Sequence, residues 1–400
     1  MSRTAYDIVT VGGGIGGASL AVVMAKAGAR VLVVERETQF QDRVRGEFME
    51  PWGVAEARRL GIYDAIRGAG HESRWWDVYV GAIPLPRRDC VTTTPHNLPN
   101  FAIYHPTMQE LILTEAARAG AEIRRGAKVR EVKPGNPPAV AVEWRGRIEE
   151  LTPRLVVGAD GRSSMVRKWC GFETRREPDR YYIAGLWFEN MAAPHDVSVG
   201  VYNPILGQVA YLFPQGGGRV RAYTVYPADA DFRLNGAGSV DRFVSEALRT
   251  GVPREYYKGA RANGPLASFI SADHWVDSPY RGGVALVGDA AAASDPMWGQ
   301  GLSLACRDVR VLTDLLQTNE DWDAAGRAYA QAHDRHFGTM HAADNFVREL
   351  LVDPGPEADA VRARALPLIA QDASRLPDTG FSGPDQPFDE TARRRAVGEE

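Results

Sequence analysis

The chain has 400 residues, 44% of them hydrophobic and 24% charged, with 47 basic residues against 51 acidic ones and a formal net charge of −4. This is ordinary globular composition, sufficient for two or three domains, and it provides no global basic field to draw nucleic acid or an anionic membrane. No segment reaches the ~18 consecutive apolar residues of a membrane span, and the widely spaced Cys90, Cys170 and Cys306 form no metal-ligand pattern and read as reduced thiols, so a soluble, cytoplasmic protein without a metal site is expected.

The first element is a short apolar, β-branched run, Tyr6 to Val11, suited to a buried parallel strand. Gly12, Gly14 and Gly17 follow as G-x-G-x-x-G, then a helix over Ala18 to Gly28, a second strand over Val31 to Val34, and Glu35 at its end. In such a unit the first glycine makes the tight turn, the second lets the backbone approach a pyrophosphate, and the third permits close helix-strand packing. The helix N-terminus offers free N–H groups and partial positive charge to the phosphates. Glu35 is placed to accept hydrogen bonds from an adenosine ribose. Ile15 and Gly16 in the turn, and Arg36 beside Glu35, complete this group of expected contacts. The motif alone does not separate FAD from NAD.

Two further blocks repeat the pattern of an apolar strand delivering an acid at its C-terminal end, where ligands of open α/β sheets collect. The first is Leu155 to Ser164, containing Asp160-Gly161; the second is Val284 to Ala291, containing Gly288-Asp289. Residues 178–277 between them change character. Val197 to Tyr202, Gln208 to Phe213 and Arg219 to Tyr226 are short runs separated by Pro and Gly, read as antiparallel strands, and a helix is expected over Val240 to Leu248. Aromatic residues are dense there and just upstream (Trp75, Trp76, Tyr79, Trp187, Phe188, Tyr202, Tyr211, Phe213, Tyr223, Tyr226), half of them read as packing and half as a pocket for a bulky ring system. After Asp289 come Pro296-Met297-Trp298-Gly299-Gln300-Gly301-Leu302 and helices over Ser303 to Leu316, Trp322 to Leu351 and Pro356 to Ala373, then a Pro-rich tail.

The three motif blocks, in this order across roughly residues 5 to 350, resemble the flavoprotein aromatic hydroxylases related to p-hydroxybenzoate hydroxylase. The resemblance implies an α/β chain. Its Rossmann-like FAD-binding domain would comprise residues 1–75, 100–177 and 278–355, with an inserted antiparallel β-sheet substrate domain of residues 76–99 and 178–277. Residues 356–400 would form a C-terminal helix and tail. It further implies that Asp289 hydrogen-bonds the ribityl chain of FAD, with Asp160, Gly288 and Pro296 nearby and the backbone of Gly299, Gln300, Gly301 and Leu302 against the isoalloxazine. Residues 42–47 match both an R-x-R stretch of these hydroxylases and the D-R-x-x-G-E stretch of squalene epoxidases, which makes Arg43 and Arg45 expected anion contacts and Glu47 a polar neighbour of the flavin. His105 stands where many relatives place Arg or Gln.

The chemistry implied is monooxygenation: NAD(P)H reduces FAD, oxygen adds at flavin C4a, and the hydroperoxide passes one oxygen atom to an aromatic, polyketide or terpenoid small molecule of secondary metabolism. Glu47, Tyr211 and Trp298 are the candidates for the reacting face. A reductase, a desaturase or a non-redox flavoenzyme of the same fold is the alternative. Halogenation is disfavoured, since no W-x-W-x-I-P motif is present and no lysine lies between Lys26 and Lys128. The pattern leaves monomer and homodimer open.

Overall fold

The computed structural model describes residues 6–44 and 46–399. Its first sheet has six strands in the order Tyr280–Arg281, Val284–Leu286, Leu155–Gly158, Ile8–Val11, Val31–Glu35 and Glu122–Arg125. All neighbours are parallel except the short hairpin formed by the first two. The strands alternate at a period of two, so each supplies both faces. Ile8, Val31, Val33, Leu155 and Val157 pack under the helices Ile15–Lys26, His105–Arg118 and Gly301–Thr318. Val9, Val11, Leu32, Val34 and Val156 face the other way, onto a small three-stranded sheet made from residues 128–151. Burying each such side chain contributes about 1.5–3 kcal/mol, which is why these runs have no polar face.

The first helix begins at Ile15 rather than at the expected Ala18, because Gly16 and Gly17 are themselves helical. A Cβ on Gly17 would lie 2.0 Å from the Gly12 carbonyl oxygen, so only glycine lets the helix start this close to the turn.

The second large sheet has eight strands. Arg261–Ser271, Tyr181–Glu189, Val220–Pro227, Gln208–Pro214 and Val197–Asn203 lie in that order and pair antiparallel, with Trp75–Val80 beyond them. Trp75–Val80 joins Val197–Asn203 in parallel, a pairing that local sequence gives no reason to expect. Alternation again sorts the side chains. Leu186, Phe188, Leu212 and Tyr226 pack with Phe243 and Ala247 of the helix Val240–Thr250. Trp76, Tyr202, Tyr211, Phe213 and Tyr223 point to the opposite face, toward the first sheet's strand ends.

The long helix Trp322–Leu351 runs as expected, and the next, Pro356–Gln371, stops two residues early. The Pro-rich tail departs from the reading of it as a trailing segment. It contains the short helices Thr379–Ser382 and Glu390–Val397 and turns back onto the molecule. Arg88 pairs with Asp378 at 2.6 Å, and Phe381 stands edge-on to Trp76 at 5.2 Å between centroids. Among the described residues no helix is long and apolar enough to cross a membrane.

Candidate active site

A cavity of about 870 Å³ extends from the glycine turn to the aromatic face of the second sheet. At its first end Gly12 has φ +102°, and a Cβ there would meet the Ala159 carbonyl oxygen at 2.4 Å. Gly14 is open by contrast: its nearest neighbour is the Gln109 side-chain nitrogen, 3.5 Å from where a Cβ would be. Gly14 is also the N-cap of the first helix and no side chain caps it, so the first-turn N–H groups are left for an anion. Ile15 and Gly16 line the cavity, while Gly17 serves packing. The Glu35 carboxylate is braced by the N–H groups of Gly13 and Glu37, both at 2.7 Å, and retains lone pairs on the cavity side.

Arg36 and Arg43 border the same end and both touch Glu37, at 3.3 and 3.0 Å. Arg45 lies outside the described residues. His105 lines the cavity, with its Nδ1 against the Gly46 carbonyl oxygen at 2.6 Å. Asp160 also borders the cavity, but its carboxylate is turned to the helix Met165–Trp169, accepting from the Ser164 hydroxyl at 2.5 Å and the Met165 N–H at 2.6 Å.

Midway along the cavity the Gly288 N–H is held by Asp308 at 2.8 Å, and the Asp289 carboxylate faces the open space without a hydrogen-bond partner among the described residues. Pro296–Trp298 forms a single 3₁₀ turn, closed by Gly299 at φ +73°, after which the helix Gly301–Thr318 starts with neither a side-chain cap nor an acid in its first turn. Gln300 anchors this turn by accepting from the Trp52 indole at 3.0 Å, leaving Leu302 and the backbone at the cavity wall. Two uncapped helix N-termini, an open glycine and a free carboxylate between them are the donor and acceptor set that a dinucleotide with a polyhydroxyl chain needs. The residues present therefore fit FAD.

The comparisons with known proteins agree. The profile of the FAD binding domain family matches residues 5–336. The chain belongs to this family. The chain is 27% identical over 359 residues to a rifampicin monooxygenase of Streptomyces venezuelae, covering 88% of this chain and 73% of that one. It is 30% identical over 328 residues to a 6-methylpretetramide 4-monooxygenase of Streptomyces rimosus, covering 76% and 73% of the two chains. The crystal structure of a p-nitrophenol 4-monooxygenase from Pseudomonas putida shares the fold, with a TM-score of 0.77, 21% identity, and 92% and 95% coverage. The protein is thus a FAD-dependent flavoprotein monooxygenase, as the resemblance to the p-hydroxybenzoate hydroxylase group implied.

At the far end of the monooxygenase's cavity, the three residues read as candidates for the reacting face have different surroundings. Tyr211 is buried, with its hydroxyl 3.4 Å from that of Tyr202, and Trp298 is half-buried on the same aromatic wall. Glu47 is not a free carboxylate: it is ion-paired with the fully buried Arg221, and the Gln215 side chain and the His105 N–H both reach it at 3.3 Å. Burial pushes its carboxyl up while Arg221 pulls it down.

Sequence reasoning missed Arg221, Glu50, Asp344 and residues 376–381, all of which build or border this end. Asp344 had a readable signal. It falls on the apolar face of its helix, seven residues after Phe337 and four after Met340, where an acid is out of place. The tail segment gave none, since nothing local tells a chain where to fold back. The Arg88–Asp378 pair and the contact between the Arg88 guanidinium and the Phe381 ring, at 4.4 Å, tie that segment over the cavity. Asp378→Ala is expected to raise amide hydrogen exchange of residues 376–383 about tenfold, with the first sheet unchanged. Unchanged exchange in the segment would mean that the pair does not hold it.

Proposed function

We propose that the monooxygenase takes electrons from NAD(P)H and inserts one oxygen atom, by hydroxylation or epoxidation, into a bulky aromatic, polyketide or terpenoid molecule. The observation that carries this reading is the continuity of the cavity: the free Asp289 carboxylate and the Gly301 helix terminus open directly onto a wall of Trp76, Tyr202, Tyr211, Phe213 and Tyr223. Bound FAD, once reduced, would supply the activation of molecular oxygen. Asp289 and the N–H groups at Gly14 and Gly301 bind and orient the cofactor. The positive end of the Gly301–Thr318 helix stabilises negative charge at the edge it faces. The aromatic wall positions the substrate ring, and residues 376–381 exclude water.

The test is turnover under isotopically labelled oxygen with a panel of polycyclic phenols and terpenoids, read by product mass. One labelled oxygen atom per product is expected. A two-hydrogen change without label would replace this reading by a reductase or desaturase, and conversion at unchanged mass by a non-redox flavoenzyme.

A further inference from the structure

The cavity does not end at the aromatic wall. Leu351, the last residue of the helix Trp322–Leu351, packs against that wall and also against the C-terminal cluster of Phe346, Ala365 and Phe388. Past it the lining changes from aromatic to aliphatic. Asp344, Val347 and Leu351 stand at i, i+3 and i+7, so they share one helix face along the cavity. Leu366 and Ile369, at i and i+3, turn one face of Pro356–Gln371 to the same space, and Leu376 of the folded-back tail joins them. The charged side chains at this edge, Arg88 and Asp378, are paired with each other at 2.6 Å. Leu366 is 44% exposed, Leu376 39% and Leu85, on the same cavity, 46%. A single exposed leucine is ordinary, but three around one opening form an apolar rim that a bound molecule covers. The proposed chemistry uses the aromatic wall and gives this aliphatic arm no task.

We propose that this arm holds a hydrocarbon chain, so that the substrate of the cavity is an aromatic ring joined to an extended aliphatic tail. This rests on the reading of the cavity as the substrate site. The two linings divide the ligand between them. The faces of Trp76, Tyr211 and Phe213 suit a flat ring, whereas Val347, Leu351, Leu366 and Ile369 have no donor or acceptor and suit a group that has none either. A polar chain in the arm would give up its water without gaining a hydrogen bond. From Asp344 to Leu351 the helix rises about 10 Å, which matches an extended chain on the order of eight carbons. The half-exposed Leu366 and Leu376 mark the outer end, where the tip of the tail meets solvent. Each methylene buried inside the arm tightens binding by up to about fourfold.

The test is equilibrium dialysis of the FAD-loaded enzyme, without oxygen or reductant, against 4-ethyl-, 4-butyl-, 4-hexyl- and 4-octylphenol. A diether with a chain of hexyl length, 4-[(2-methoxyethoxy)methyl]phenol, is the polar control. Because no turnover is involved, the outcome is independent of whether oxygen transfer is the correct chemistry. Affinity is expected to rise at least about twofold per added methylene, and the diether to bind at least about tenfold more weakly than 4-hexylphenol. Val347→Trp fills the arm one turn past Asp344; it should hold 4-ethylphenol within about twofold of native and cancel the gain beyond butyl. Leu366→Glu changes a half-exposed side chain, so folding is spared, and should weaken 4-octylphenol at least about threefold with 4-ethylphenol unchanged. Flavin content and melting temperature are the controls for both variants. Ethylphenol binding without any gain along the series, a diether equal to 4-hexylphenol, or a gain that survives both substitutions would each overturn the tail assignment and leave the ring site standing. No binding by any of the phenols would overturn it together with the substrate reading of the cavity.

Discussion

Asp289→Ala is expected to purify nearly colourless from cells that give a yellow native protein. Its carboxylate faces the cavity with no partner among the described residues, so the apo-protein loses no contact when it is removed, and the fold should change by no more than about 0.5 kcal/mol. The bound state loses a charge-assisted hydrogen bond, on the order of 1.5–3 kcal/mol, or roughly 10- to 150-fold in FAD affinity. The neighbouring Gly288 is fixed independently by Asp308, so the strand end should keep its geometry in the variant. Two measurements check this: the flavin-to-protein absorbance ratio after purification, and titration of FAD into apo-protein, with the melting temperature of the apo form as the control. Full flavin occupancy at native affinity would remove Asp289 from the cofactor site.

Asp289 was legible in the sequence because its signal is local. A buried strand followed by Gly288-Asp289 and then by a glycine-spaced helix start says where the acid must sit, whatever the rest of the chain does. The same is true of Gly12, Gly14 and Glu35, which a single strand-turn-helix places together. The sheet strands of residues 197–227 were readable for a similar reason, since Pro and Gly clusters bound them and aromatic residues recur at the spacing of one face. What local reading lacked was the long-range partner. Glu47 looks like a flavin neighbour in sequence, and only the folding of Val220–Pro227 beside it reveals that Arg221 has claimed it. The segment 376–381 reads as tail because its anchors, Arg88 and Trp76, are about 300 residues away. The parallel pairing of Trp75–Val80 with Val197–Asn203 has the same origin: strand order in a sheet assembled from distant pieces is a property of the whole chain.

Arg221→Met is expected to be the most destabilising single change in the eight-stranded sheet. The Arg221 side chain is fully buried, and it joins Glu47, also fully buried, to Asp42 at 3.0 Å. Removing one partner of such a pair leaves an uncompensated buried charge and costs about 3–5 kcal/mol. The loss should extend to the cofactor, because residues 42–47 run along the cavity edge and Gly46 in turn holds His105. Its pH dependence identifies the cause. Burial already raises the Glu47 carboxyl above its ordinary value of 4.5, against the pull of Arg221, and without the guanidinium it rises further. The folded variant then binds more protons than the unfolded chain between the ordinary carboxylate range and this raised value, so its stability falls as pH rises through that window. The deficit relative to the native protein should therefore be smaller near pH 5 than near pH 8 in urea unfolding, by about 1 kcal/mol or more. Adding Glu47→Gln to Arg221→Met removes the stranded charge and should recover a large part of the loss while flattening the pH dependence. A loss that is independent of pH and survives the second substitution would place the role of Arg221 in packing against Trp187, whose ring lies 6.0 Å from the guanidinium, instead of in the ion pair.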